Sequence, residues 1–138
     1  MSWPTIIFLL LAVAFTIAAE MLRRSRFRPF GARACSGRDW RRRFPDASSD
    51  DIREFLRLFI DGFAIRRRHA LKFRPDDRVM DIYRAINPPE ITGADVMELE
   101  CFGMDLEKRY GVALSDIWHE DITLGEVFVK ASSRTSRP

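Results

Sequence analysis

Gly93-Ala94-Asp95-Val96-Met97-Glu98-Leu99 opens the helix on which the reading of this chain turns. From Asp95 to Tyr110, the apolar residues Val96, Leu99, Phe102, Leu106 and Tyr110 recur every three or four positions. Glu98, Glu100, Asp105, Glu107, Lys108 and Arg109 fill most of the remaining positions. That spacing predicts an amphipathic helix with one apolar and one charged face. Asp95 is its expected N-cap, since a carboxylate can accept from orphan backbone amides. Gly111 is the expected stop, because glycine enters the left-handed conformation without a steric penalty.

Further segments follow in matching order. Leu106-Glu107-Lys108-Arg109-Tyr110-Gly111-Val112-Ala113-Leu114-Ser115-Asp116 leads into Ile122-Thr123-Leu124-Gly125-Glu126-Val127. With Gly-Ala-Asp ahead of a hydrophobic helix, this arrangement resembles the acyl carrier protein family: its second helix, the following loop and the start of its last helix. The resemblance implies an all-α, acyl-carrier-like four-helix bundle over residues 46–131. Phe73 with Asp81-Ile82 looks like the family element that packs beneath the second helix. In that family a serine after the aspartate carries 4'-phosphopantetheine. Here the attachment position is Val96, preceded by Asp95, and valine has no nucleophilic oxygen. The expectation is therefore no cofactor. Asn87-Pro88-Pro89-Glu90-Ile91-Thr92 also lengthens the approach to Gly93, a departure beside that position.

Charge is divided along the chain. Residues 1–45 carry nine Arg against Glu20 and Asp39, a net of +7, whereas residues 46–130 carry 12 basic and 18 acidic side chains, a net of −6. Trp3 to Ala19 carries no charge. At ~1.5 Å per residue such a helix approaches the ~30 Å hydrocarbon core of a bilayer. Residues 1–20 are thus read as a transmembrane anchor. A cleaved signal peptide and a buried core helix are the alternatives, although the basic n-region of a signal is missing. All nearby arginines follow the apolar run, so the positive-inside rule places the N-terminus outside and the remainder in the cytoplasm, at an inner membrane.

Residues 21–45 form a basic connector. Arg23, Arg24, Arg26, Arg28, Trp40, Arg41, Arg42 and Arg43 are its membrane-surface candidates, because arginines attract anionic headgroups and aromatic rings favour the interface. A nucleic-acid contact and a solvated linker are the competing readings.

Asp46 to Asp51 supplies caps for a helix with the stripe Ile52, Phe55, Leu56, Phe59, Ile60 and Phe63. The run Arg66-Arg67-Arg68-His69 suits the negative end of that helix. Leu71 to Pro75 reads as extended, and Asp76 and Asp77 as caps of a short helix from Val79 to Ile86. Ser115 is expected to cap a short third helix, Thr123 and Glu126 to form a capping box, and residues 132–138 to fray.

The chemistry census is short. His69, His119, Cys35 and Cys101 have no metal-ligand spacing, so no metal is expected. Cys101 reads as a small buried hydrophobe, and Cys35 as a juxtamembrane thiol open to acylation. Ser115, Asp116 and His119 are a catalytic group only if they converge, and no phosphate-cradling glycine loop is present. Nothing in the sequence points to an enzyme.

A charged surface remains. Between Glu90 and Glu126, ten acidic side chains face only Lys108 and Arg109. The resemblance implies docking through Glu98, Glu100, Asp105 and Glu107 to a protein with a basic patch, such as a lipid or polyketide synthesis enzyme. The function expected is a membrane-tethered, non-enzymatic adaptor or regulatory module. A genuine carrier with a relocated attachment site, an inhibitor, and an arginine-rich membrane-surface or nucleic-acid-binding protein are the alternatives. Composition leaves oligomeric state open.

Overall fold

The computed structural model describes residues 2–88 and 96–135, and these are helical with no strand among them. The expected Asp95 cap, and most of the lengthened approach to Gly93, lie outside the described residues.

The first helix, α1, runs unbroken from Trp3 to Gly31 and has no buried residue. It is long and apolar enough to cross a membrane. Its 29 residues extend about 44 Å, so roughly two-fifths of its length continues past the uncharged stretch. No breaker interrupts Glu20 to Arg28, and Pro29 falls in the final turn, where it forfeits one backbone hydrogen bond but has almost no helix beyond it to kink. Helix α2 (Gly37–Arg43) follows, and then α3 (Ser49–Gly62). The backbone amide of Asp51 donates to Ser48 Oγ at 3.0 Å, so the expected cap of α3 is formed. Ile52, Phe55, Leu56, Phe59 and Ile60 are all buried, as their spacing requires.

The connector does not lie apart from the domain. Trp40 is fully buried, packed against Phe44, Phe55 and Phe128 with ring centroids 5.7–6.1 Å away. Its indole N–H donates to the Phe73 carbonyl at 2.9 Å. This corrects the membrane-surface reading of Trp40: an indole that can bury its ring and still satisfy its N–H gains more from the core than from an interface. Phe27 and Phe30 likewise turn inward onto Phe73, at 6.2 and 6.0 Å. Arg41, Arg42 and Arg43 stay exposed on α2.

The arginine run is a second correction. Helix α3 ends at Gly62, with no basic residue in its last turn. Arg67–Lys72 instead forms a 3-10 segment of its own. Asp76 and Asp77 do not cap α4 (Val79–Ile86), whose cap position is Arg78. Asp77 accepts from the Arg74 amide at 2.6 Å and from Arg33 Nη1 at 2.6 and 2.8 Å. That bond fastens the end of α1 to the domain, helped by Lys72 Nζ donating to the Arg33 carbonyl.

Helix α5 (Met97–Tyr110) ends at Gly111 with φ 67°, the expected left-handed stop. Phe102 and Leu106 are buried, while Cys101 is only half-buried. A short α6 (Leu114–Ile117) has Ala113, not Ser115, at its cap. Helix α7 (Leu124–Thr135) opens on the expected capping box: the Thr123 amide donates to Glu126 Oε2 at 2.8 Å and the Glu126 amide to Thr123 Oγ1 at 3.3 Å. It continues past the expected fraying point because Val127, Phe128 and Ala131 are buried on one face. A single antiparallel bridge, Arg78 to Thr123, joins the starts of α4 and α7.

Two positions near the end of α3 make opposite predictions. A Cβ on Gly62 would sit 2.9 Å from Phe102 Cα, so α3 and α5 approach closely only because position 62 is glycine. Gly62→Ala should lower unfolding free energy by about 1–3 kcal/mol. Ala64 has φ 52°, where glycine is the comfortable residue, and Ala64→Gly should raise stability by ~0.5–1 kcal/mol. Denaturant unfolding of the full chain, followed by circular dichroism, measures both.

Candidate functional site

Gly111 turns the chain sharply at the end of α5, and Val112, which is buried, pins it to the core. The next residues therefore fold back along α5. Leu114 packs beside Gly103, at a spacing where an added Cβ would make an ordinary contact 3.5 Å from Leu114 Cβ. An open groove of about 720 Å³ results, with Val96, Leu99, Gly103 and Met104 on one wall and Leu114, Ser115 and Trp118 on the other. Its apolar surface is solvent-facing: Met104 is 63% exposed, Val96 44% and Trp118 37%. Adjacent Met97 adds a second flexible thioether at 60%. Methionine, with its flexible thioether, adapts its shape to whatever packs on it.

The four docking candidates divide into two pairs. Glu100 and Glu107 flank the groove. Glu98 and Asp105 each precede one of these by two residues, which on a helix of 3.6 residues per turn places them about 200° around the axis. They occupy the opposite flank, where Arg109 is neutralised by Glu54 through bonds of 2.7 and 2.9 Å to α3. Among the described residues none of the four carboxylates enters an ion pair. Residue 96 stands at the cap position of α5 with no side-chain cap bond. Val96 therefore lines the groove at the start of α5, with Met104 on the same wall.

Ser115 and His119 are not assembled into a catalytic pair. Ser115 lines the groove, whereas His119 Nε2 lies 3.6 Å from Glu126 Oε1 at the start of α7. The hydrogen bonds from Thr123, more than His119, hold the Glu126 carboxyl below the usual carboxylate range. Among the described residues no cluster of His, Cys, Asp and Glu could hold a metal ion.

A basic cleft of about 820 Å³ lies elsewhere, between the lower half of α1 and residues 64–69. Arg23 and Arg24 reach it but also pair with Glu20, at 2.6 and 2.9 Å. Arg28 comes from the same helix, and Arg66, Arg68 and His69 from the opposite wall. Sequence reasoning missed the second wall because Arg66–His69 reads locally as a helix terminus. The available signal was Phe27, an aromatic four residues after Arg23 on a helix otherwise bound for solvent. His69 stands edge-on to Phe27 at 5.3 Å.

Comparison with protein-family models, curated proteins and solved structures finds no match to this chain.

Burial first, and then the charges of Arg68, Lys72 and Arg66, hold His69 below its ordinary value of 6.5. Protonation therefore favours the unfolded chain, so His69 should cost stability as pH falls below 6.5 and none above it. His69→Gln should flatten this loss in pH-dependent denaturant titrations, while a slope unchanged from the parent would contradict the assignment.

Proposed function

We propose that the chain is a membrane-tethered, acyl-carrier-like module that lacks the prosthetic group and works by docking. The observation that carries this reading is the groove beside α5, with Val96 at its mouth and Glu100 and Glu107 along its rim. Exposed methionine and tryptophan supply apolar area, and unpaired carboxylates supply a field that guides a basic partner into register. A partner of matching chemistry presents a cationic patch around an apolar ridge, as an enzyme of lipid or polyketide synthesis would. Helix α1 holds the module at the inner face of a cytoplasmic membrane, N-terminus outside, an orientation supported by arginines that all follow the apolar run.

A second reading has one specific observation in its favour. Ser115 lies in the wall of the same groove, so a carrier with a relocated attachment hydroxyl would have it close to residue 96.

Intact mass after incubation with coenzyme A and a broad-specificity phosphopantetheinyl transferase separates the two. Val96→Ser should gain a phosphopantetheine group and the parent chain should not. Loading of the parent that disappears in Ser115→Ala would establish the relocated site instead. If neither chain loads, the carrier-like reading of α5 is wrong. Glu100→Lys with Glu107→Lys should slow loading of Val96→Ser on the order of tenfold, by weakening charge-guided encounter. Glu98→Lys with Asp105→Lys should slow it less, with helicity unchanged in both.

A further inference from the structure

We propose that the cleft between α1 and residues 64–69 binds the phosphate headgroup of an anionic phospholipid. The inference rests on α1 being the membrane anchor, and it adds a defined site to that tether.

Position is the first argument. The cleft begins at Glu20, the residue that follows the uncharged stretch ending at Ala19, and continues to Gly31, about 17 Å along the helix. A lipid whose acyl chains lie against the exposed apolar face of α1 brings its headgroup to this level.

Charge is the second. Among the described residues Glu20 is the one carboxylate in the cleft lining, and it is already engaged by Arg23 and Arg24. Among the described residues, Arg28 and Arg66 have no ion pair, and Arg68 donates to His69 Nε2 at 3.2 Å without meeting a carboxylate. Arg67, between the latter two, turns away to Asp61 at 3.4 Å. Three arginines from two walls thus line one cleft with no ion pair among the described residues, an arrangement suited to phosphate oxygens.

Polarity of the floor is the third. With Nε2 accepting from Arg68, His69 holds its proton on Nδ1, and that buried atom has no hydrogen-bond partner. Phe27, Ile65 and Ile86 complete the lining. An apolar floor beneath a cationic rim matches the glycerol and acyl ester region of a lipid better than a freely soluble phosphate ester.

The test begins with insertion of the full chain into nanodiscs of phosphatidylcholine. Failure to insert would overturn the tether and the site together. Native mass spectrometry of the detergent-solubilised full chain, offered equal phosphatidylglycerol and phosphatidylcholine, then reads the site alone. Phosphatidylglycerol should be retained preferentially. Arg66→Gln with Arg68→Gln should reduce that preference on the order of tenfold, the effect expected of two arginines near a headgroup. Arg53→Gln with Arg57→Gln, which removes the same charge from exposed positions of α3, should leave it intact. Three results would each overturn the site and spare the tether: no preference in the parent chain, equal loss in both double variants, or displacement of the lipid by excess glycerol phosphate.

Discussion

Phe73 joins the two halves of this protein. Its ring is fully buried against Phe59 of α3 at 5.5 Å, and against Phe27 and Phe30 of α1. Its carbonyl meanwhile lies 2.6 Å from Ser36 Oγ and 2.9 Å from Trp40 Nε1. One residue therefore presents an apolar surface to two helices and a polar group to a third. Each aromatic pair contributes roughly 0.5–1.5 kcal/mol beyond the burial of its area. The carbonyl matters for a different reason: without Ser36 and Trp40 it would be a buried acceptor with nothing to accept, and without it the Trp40 indole would be a buried donor with nowhere to donate, whereas Ser36 Oγ also has the Leu71 carbonyl at 2.8 Å.

A long helix that leaves a domain through a flexible linker transmits no orientation. Here the exit is closed at several points. Arg33 stacks on Phe30, with its guanidinium 4.8 Å from the ring centroid, while pairing with Asp77. The Ser36 amide also donates to the Leu71 carbonyl at 2.7 Å. The apolar part of α1 and the domain consequently share one frame. A domain held in this way keeps a fixed face toward α1, and arginines of α1 and of residues 66–68 line the cleft between the two.

Much of this fold was legible in the sequence where the deciding interactions are local. The Ser48 cap, the stripe from Ile52 to Ile60, the left-handed Gly111 and the Thr123–Glu126 box all involve partners within a few residues. What could not be read locally depends on distant partners. Trp40 beside three arginines has the composition of an interfacial aromatic, and only the Phe73 carbonyl, 33 residues away, draws its indole inside. Arg66 to His69 has the composition of a helix end, but α3 stops earlier. Its reversal occurs at Ala64, while the glycine that would normally signal such a stop is displaced to position 62 by contact with Phe102. The candidate site was half legible. The seven-residue spacings of Glu98 with Asp105 and of Glu100 with Glu107 define two stripes by helical arithmetic alone. Which stripe borders an apolar groove is settled by the chain folding back after Gly111.

The two charged regions then have a spatial relation that composition could not supply. Helix α1 packs on α4 and the 3-10 segment, whereas the groove is built by α5 and α6, and α5 itself rests on α3 and α7. Opposite charges are thus carried by different elements of one helical body. Were they adjacent, Glu100 and Glu107 could pair with the arginines, each exposed pair contributing about 0–1 kcal/mol. Separation leaves both available. Screening over a Debye length of ~8 Å at physiological salt further weakens the coupling between exposed charges carried on different elements.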